Sequence, residues 1–232
     1  MKTGVLILLI LSAAAGQAMV WLELRQKEEQ AYFVKTAASL LFVSAGVLTV
    51  CGTGVSAGKA LILFGLVLGM LGDIFLSGPS ISREECAKAL FLTGGIFFGL
   101  GHLAYFAALM IQAPSFHAIS VIAALLAAAL TWLSIKSGFW KVTASDKLSY
   151  TLYGAVSGIL LMGAVNLTLA GNGPAVWIFL AAAGLFVLSD WLLATANFSR
   201  FRSVNGLRYL CIFLYYLAQA AFVWGLGSMS GC

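Results

Sequence analysis

Two aspartates are the strongest candidates for chemistry, because each one interrupts a long apolar stretch of the sequence. Asp73 lies in the segment MLGDIFL and Asp190 lies in the segment VLSDWLL. A carboxylate inside a membrane span costs at least about 2.5–3.5 kcal/mol, and it is usually retained because it faces a polar cavity that serves a function. The other acidic residues fall between the apolar stretches or at their ends, at Glu23, Glu28, Glu29, Glu84, Glu85 and Asp146.

The two aspartates occupy equivalent depths, since each lies a few residues from the same end of its apolar stretch. We therefore predict that they face one polar pocket that opens toward the cytoplasm. The alternative is a structural role, in which each carboxylate accepts hydrogen bonds and ties two helices together. Gly65 and Gly69 precede Asp73 at helical spacing, with Gly72 beside it, and such small residues let another helix approach closely.

His102 is the third candidate for proton chemistry. It follows Gly94 and Phe98 at steps of four residues, so the three share one helix face, and Tyr105 follows three residues later. An imidazole titrates near neutral pH and can carry a proton. The alternative is a neutral, hydrogen-bonded core histidine. His117 lies at the end of the next apolar stretch, where we predict an interfacial residue without a role.

Further polar side chains in apolar stretches are candidates for binding a substrate: Lys35, Tyr105, Tyr153, Tyr215 and Gln219. Lys35 has two interpretations. Its ammonium group either extends to the lipid headgroups at the membrane surface or provides a counter-charge for an aspartate or a lipid phosphate. Tyrosine near an interface is commonly an anchor, whereas Tyr215 and Gln219 lie deeper, where a pocket role is more plausible.

The composition dictates the elements that must position these groups. Of the 232 residues, 62% are hydrophobic and 9% are charged, against about 25% charged in soluble domains. This excludes a soluble globular enzyme, a disordered chain and a nucleic-acid-binding domain. Lipid leaves no water for an unpaired backbone, so continuous apolar runs must be helices. We predict an all-α polytopic membrane protein, a single transmembrane domain over residues 1–232, with spans near 3–22, 32–51, 58–77, 89–111, 116–135, 148–170, 174–195 and 207–227.

The breaks between these spans coincide with turn-forming residues. All three prolines fall in such breaks, in the sequences Gly78-Pro79, Ala113-Pro114 and Gly171-Asn172-Gly173-Pro174. The first span has features of a signal peptide, but its apolar run continues past the small residues, so we predict a retained helix.

Basic residues predict the orientation in the membrane. Two of them, Lys2 and Lys59, fall at the termini or in even-numbered loops. The other eleven fall in odd-numbered loops and their flanks, at Arg25, Lys27, Lys35, Arg83, Lys88, Lys136, Lys141, Lys147, Arg200, Arg202 and Arg208. The positive-inside rule then places both termini outside the cytoplasm. The short loops favour a bacterial plasma membrane.

An internal repeat is a further expectation. An offset of 117 residues carries Asp73 to Asp190 and His102 to Gln219. Because four spans separate the copies, the repeat would be a parallel one of four helices each. The identities are few, so chance similarity is the alternative.

Several catalytic signatures are missing from the sequence. It contains no HExxH, Walker or GxSxG motif. Two histidines and four scattered cysteines, at Cys51, Cys86, Cys211 and Cys232, do not form a metal-binding pattern. We therefore predict no metal and no organic cofactor.

Taken in order, the motifs resemble the YhhN family of membrane proteins, which includes the animal lysoplasmalogenases. The motifs that carry this resemblance are Gly72-Asp73-x-x-Leu76, Gly94-x-x-x-Phe98-x-x-x-His102-x-x-Tyr105, Ser189-Asp190-x-x-Leu193 and Tyr215-x-x-Ala218-Gln219. Lys35 falls where the family tends to carry a lysine. The resemblance implies a lysophospholipid substrate, whose vinyl ether bond is hydrolysed to a fatty aldehyde and a glycerophospho-ethanolamine or -choline.

Vinyl ether hydrolysis suits two carboxyl groups in different environments. One is a neutral acid that protonates carbon, and the other is an ionised group that stabilises the resulting oxocarbenium ion. We expect Asp73 and Asp190 to share these roles, with His102 assisting proton transfer. The alternative is a proton-coupled transporter or channel for a small solute or lipid, since buried carboxylates and a repeat also occur in carriers.

Overall fold

The computed structural model describes residues 3–78, 84–171 and 173–229, and this part of the chain folds into eight long helices. Each helix is long and apolar enough to cross a membrane, which confirms the predicted all-α membrane bundle. Lys2, Pro79, Arg83, Asn172 and Cys232 lie outside the described residues. The helices are α1 (Thr3–Leu24), α2 (Glu28–Thr53), α3 (Ala57–Ser77), α4 (Glu84–Gln112), α5 (Val121–Lys136), α6 (Lys147–Ala170), α7 (Pro174–Phe198) and α8 (Asn205–Ser228).

Local chemistry sets several helix ends. Helix α7 begins with Pro174, whose missing N–H costs nothing at a first helical position, and Gly173 before it has a φ of 104°. Helix α4 ends at Gln112, two residues before Pro114. The Lys59 ammonium is buried and donates to the Thr53 carbonyl over 3.0 Å, so this cation caps the C-terminus of α2.

The helix contacts recur with a period of four helices. Helices α1 and α2 pack together as α5 and α6 do, and α3 and α4 pack together as α7 and α8 do. The contact of α4 with α6 is matched by the contact of α8 with α2. One contact is an exception. Helix α1 packs on α8, and the repeat would match this with a contact of α5 on α4, but the described residues show no such contact of similar extent. The packing thus supports the expected parallel repeat.

Two aromatic pairs mark the axis between the two halves. Tyr105 stacks on Phe222 with ring centroids 4.0 Å apart, and Phe98 meets Tyr215 edge-on at 5.7 Å. In both pairs the partners are 117 residues apart in the sequence. Residues that the repeat relates to each other can touch only beside the axis, so these pairs lie at the centre of the bundle.

The glycine stripe of α3, formed by Gly65, Gly69 and Gly72, packs against α4 and α8. A Cβ added to Gly94 would lie 2.8 Å from the Leu76 nitrogen and 3.1 Å from the Gly72 oxygen, so the backbones of α3 and α4 are in contact there. Gly65 packs on the Tyr105 ring, and Gly69 packs on the Gln219 amide. Small residues on α3 therefore admit side chains from α4 and α8.

The ends of α1, α3, α5 and α7 and the starts of α2, α4, α6 and α8 form one face, which we call the basic end. Here Lys88 pairs with Asp146 at 2.9 Å, and the Thr143 hydroxyl donates to the same carboxylate over 2.6 Å. The Thr143 and Lys88 hydrogen bonds hold the pKa of Asp146 below its ordinary value. The Lys141 N–H donates to the Phe198 carbonyl over 2.7 Å and fixes the loop between α5 and α6 against α7.

Candidate functional site

Asp73 is enclosed by donors from two other helices. The Lys35 ammonium on α2 lies 3.3 Å from its carboxylate. The hydroxyls of Ser39 on α2 and Tyr215 on α8 each donate to it over 2.6 Å. Only 1% of Asp73 is exposed. An ammonium and two short hydroxyl bonds compensate a buried negative charge, and we call this group the Asp73 cluster.

A chain of hydrogen bonds continues from this cluster toward the centre of the bundle. The Tyr105 hydroxyl donates to the Gln219 carbonyl oxygen over 2.7 Å, and the Gln219 amide donates to the Tyr215 oxygen over 3.1 Å. Tyr215 in turn donates to Asp73. All the donors point the same way, so the chain directs positive polarisation at the carboxylate.

Asp190 has sparser surroundings. The Ser157 hydroxyl on α6 donates to its carboxylate over 3.1 Å. The Nε2 atom of His102 on α4 lies 3.3 Å from the same oxygen, but at an angle that does not make a hydrogen bond, and neither imidazole nitrogen has a hydrogen-bond partner among the described residues. The Tyr153 ring lies 5.8 Å from the His102 ring. These residues form the Asp190 cluster, in which 13% of the aspartate side chain is exposed.

The two clusters share one plan. Asp73 of α3 accepts from Ser39 of the preceding helix α2, and Tyr215 of α8, the last helix of the second half, also contacts it. Asp190 of α7 accepts from Ser157 of the preceding helix α6, and His102 of α4, the last helix of the first half, lies beside it. Lys35 and Ser39 lie four residues apart on α2, as Tyr153 and Ser157 do on α6. Neither serine was predicted from the sequence, although each lies four residues after a predicted site residue, Lys35 or Tyr153, and this spacing was a usable signal.

An aromatic side chain lies next to both clusters. The Phe186 ring lies 5.4 Å from the Tyr215 ring of the Asp73 cluster and 4.6 Å from the His102 ring of the Asp190 cluster. The expected single pocket is therefore replaced by two polar clusters, because Phe186 and its neighbour Phe98 fill the centre of the bundle. Asp190 lines a cavity from which Asp73 is absent.

This cavity, which we call the lateral groove, has a volume of about 500 Å³ and runs between α4, α6 and α7. Its lining is mainly apolar, with Asp190 and Tyr153 among its polar residues. Ile96 and Leu152 line it and are 62% and 57% exposed on the outer surface of the bundle. The groove therefore opens sideways, toward the lipid that surrounds membrane-crossing helices.

A second cavity of about 250 Å³, which we call the basic-end pocket, lies beside the groove. Charged side chains from three helices line it: Glu23 of α1, Lys35 of α2 and Arg208 of α8. The two cavities share four lining residues, namely Leu76, Phe91, Leu193 and Asn197. They are thus adjacent compartments, one apolar and one charged.

The predicted site residues lie in three places: the lateral groove, the basic-end pocket and the buried interior of the bundle. Asp190 and Tyr153 line the groove, and Lys35 lines the basic-end pocket. Lys35 is 5% exposed and pairs with Asp73, so it does not extend to the headgroups but provides a counter-charge. His102 is buried against Asp190. Tyr105, Tyr215 and Gln219 satisfy one another in the buried chain and line neither cavity, a placement that favours a supporting role.

Asn166 holds the loop that contains His117, the histidine predicted to be an interfacial residue without a role. Asn166 is fully buried, accepts the His117 N–H over 2.7 Å and donates to the Ser115 carbonyl over 3.1 Å. It thereby fixes the loop between α4 and α5.

Within the part of the chain that the structure describes, no three His, Cys, Asp or Glu side chains are close enough to hold a metal ion.

Comparison with known proteins gave one match. A sequence model of the YhhN family matches residues 30–226, which is most of the chain. No curated protein and no solved structure matched it.

Proposed function

The chain belongs to the YhhN family, and on that premise we propose that it hydrolyses the vinyl ether bond of a lysoplasmalogen at Asp190. The observation that carries this proposal is the position of Asp190, a carboxyl group on the wall of an apolar groove that opens toward lipid. An alkenyl chain is apolar and enters from the membrane, and its vinyl ether needs an acid to protonate carbon. The groove offers both the apolar environment and the acid.

The reaction begins with proton transfer from the Asp190 carboxyl group to the vinyl carbon that does not bear oxygen. The electron pair of the double bond forms the new C–H bond, and the ether oxygen shares the positive charge of the resulting oxocarbenium ion. The Asp190 carboxylate then lies beside this cation and stabilises it, as carboxylates do in glycoside hydrolysis.

Water completes the reaction. It adds to the carbon that bears the ether oxygen and returns a proton to Asp190, which gives a hemiacetal. The hemiacetal hydroxyl then loses its proton and becomes the aldehyde carbonyl as the C–O bond to glycerol breaks, and the departing glycerol oxygen takes up one proton. The products are a fatty aldehyde and a glycerophospho-ethanolamine or -choline, and one water is consumed. In this proposal His102 assists these proton transfers, and the distance of 3.3 Å from its Nε2 atom to the carboxylate supports that role.

Asp73 has a different role in this proposal. It lines neither cavity, and it is bound by Lys35, Ser39 and Tyr215. We assign it to positioning, because its carboxylate fixes the Lys35 ammonium at the wall of the basic-end pocket. We therefore propose one acid, Asp190, and one positioning residue, Asp73, instead of two aspartates that act on the substrate together.

The first experiment compares Asp190→Asn with the wild type for aldehyde release from lysoplasmalogen in detergent. We expect a loss of at least about 100-fold, because general acid catalysis typically contributes 10²–10⁴-fold. Asp146→Asn, the same change in an exposed loop, is the matched control and should keep full activity. Wild-type aldehyde release by Asp190→Asn would contradict the proposal.

The same assay tests the carrier alternative. An enzyme releases aldehyde in detergent, where no membrane gradient exists, whereas a carrier shows only gradient-dependent flux. We further propose that the protein lies in the plasma membrane of a bacterium, with the basic end in the cytoplasm. The site then draws its substrate from the inner leaflet.

A further inference from the structure

The basic-end pocket carries charges that the aspartate chemistry does not use. Glu23 and Arg208 line it, both are half-buried, and neither forms an ion pair with a side chain that the structure describes. Lys35 lines the same pocket but is already paired with Asp73. The guanidinium of Arg208 and the carboxylate of Glu23 line one small cavity and are therefore available to a ligand of matching charge.

The matching ligand has an anion and a cation close together. A guanidinium binds the oxygens of a phosphate with two parallel hydrogen bonds, and an ammonium adds a further positive charge. A carboxylate attracts an amine. The set Arg208, Lys35 and Glu23 therefore fits a phosphodiester that carries an ammonium group, which is the chemistry of a zwitterionic lipid head group.

The neighbouring groove supplies the place for the rest of such a lipid. It shares the wall formed by Leu76, Phe91, Leu193 and Asn197 with the basic-end pocket. Gly95 and Gly99, one turn apart on α4, leave it open, because a Cβ on Gly95 would meet nothing within 4 Å. Its volume of about 500 Å³ lies within the range of small-molecule sites.

We infer that the two cavities together bind one lysophospholipid, with its phosphate on Arg208 and Lys35, its amine facing Glu23 and its single chain in the lateral groove. This inference rests on the proposed function and adds the residues that select the head group. Asp190 lies seven residues before Asn197 on α7, which is about 10 Å deeper at 1.5 Å per residue. The glycerol and the first atoms of the chain span this interval, so the bond to be hydrolysed lies near the acid.

Binding of lipids that the enzyme cannot hydrolyse tests this inference separately from catalysis. The ligands are acyl-linked lysophosphatidylethanolamine, which has no vinyl ether, and monoacylglycerol with the same chain but no phosphate. Affinity is measured by calorimetry with the full-length protein in detergent. We expect Arg208→Gln to weaken binding of the phospholipid about tenfold or more and to leave monoacylglycerol binding unchanged.

Two controls accompany this variant. Arg202→Gln removes an exposed arginine from the same face, outside the pocket, and should have no effect. Arg208→Lys keeps the charge without the planar fork and should bind with intermediate affinity. Equal phospholipid binding by wild type and Arg208→Gln would overturn the inference even if lysoplasmalogen is hydrolysed.

The amine and the chain are tested in the same way. Glu23→Gln should reduce the preference for lysophosphatidylethanolamine over lysophosphatidic acid, which lacks the amine. Gly95→Leu fills the groove and should weaken binding of both the phospholipid and monoacylglycerol, whereas Gly184→Leu, at a helical glycine with equal space outside the groove, should not. An unchanged lipid preference in Glu23→Gln would overturn the contact of the amine with Glu23. Unchanged affinity for both lipids in Gly95→Leu would overturn the placement of the chain in the groove.

Discussion

The two buried carboxylates differ in the kind of donor that surrounds them. Asp73 has an ammonium and two hydroxyls, whereas Asp190 has the Ser157 and Tyr153 hydroxyls and a nearby imidazole, but no ammonium. The sequence predicted both aspartates, because a carboxylate within an apolar span is conspicuous. It did not predict Ser39 or Ser157, because serine is common in membrane helices. It did not predict Arg208 as a site residue either, because a basic residue at the start of a membrane helix was interpreted as an indicator of orientation.

The Lys35–Asp73 pair leads to a prediction about stability. Removing one partner of a buried ion pair leaves the other charge uncompensated and typically costs about 3–5 kcal/mol. We expect Asp73→Asn to lose stability in this range, and the double variant Lys35→Met with Asp73→Asn to lose less than the two single variants added together. Unfolding of the purified variants in detergent measures these differences.

The pair at the basic end provides the comparison. Lys88 and Asp146 are also in contact, but 61% of the lysine side chain is exposed. Water and salt screen such a pair, so Lys88→Met and Asp146→Asn should unfold like the wild type. Additive effects of Lys35→Met and Asp73→Asn would show that the buried pair is not coupled.

At the scale of the helices, hydropathy identified every span but not every end. Helix α4 begins at Glu84 rather than near residue 89, and α2 begins at Glu28 rather than near residue 32. Polar turns extend these helices beyond the apolar core, and an apolar run marks only the part that lipid must surround. Helix α5 begins later than expected, at Val121, because a 3₁₀ turn over Ala118–Ser120 follows the loop that Asn166 holds.

Adjacent glycines on α4 allow a matched test of how the helices pack. A Cβ on Gly94 would contact the backbone of α3, whereas a Cβ on Gly95 would meet nothing within 4 Å. Gly94→Ala should therefore force α3 and α4 apart and cost about 1–3 kcal/mol. Gly95→Ala should be neutral or stabilising by about 0.5–1 kcal/mol, because alanine favours a helix over glycine.

The same unfolding assay measures both glycine variants. Equal stability of Gly94→Ala and Gly95→Ala would contradict the close approach of α3 and α4 at Leu76. Because Gly95 lines the groove and Gly94 does not, the pair also separates the effect of packing from the effect of filling the groove.

At the scale of the whole molecule, the repeat explains why two similar clusters exist and why they diverged. The offset that relates Asp73 to Asp190 was visible in the sequence, but the pairing of each aspartate with a residue of the other half was not. That pairing depends on the contacts of α4 with α6 and of α8 with α2, which join helices distant in the sequence. Phe186 and Phe98 separate the two clusters, so Asp73 pairs with the Lys35 ammonium while Asp190 faces the groove.

The orientation of the bundle decides which leaflet supplies the groove, and two native cysteines test it. Cys51 is exposed in the last turn of α2, away from the basic end, and Cys86 is exposed near the start of α4, at the basic end. The positive-inside rule puts the basic end in the cytoplasm. In intact cells, a membrane-impermeant maleimide should therefore label Cys51, and it should label Cys86 only after permeabilisation.

Single-cysteine readouts make this result unambiguous. Among the described residues, Cys51→Ser with Cys232→Ser leaves Cys86 as the exposed thiol, and Cys86→Ser with Cys232→Ser leaves Cys51. Cys211 is buried and should stay unlabelled in both variants. Labelling of Cys86 but not Cys51 in intact cells would show that the bundle has the opposite orientation in the membrane. Arg208 and the basic-end pocket would then face the opposite leaflet, and a lysophospholipid substrate would have to reach Asp190 from that side of the membrane.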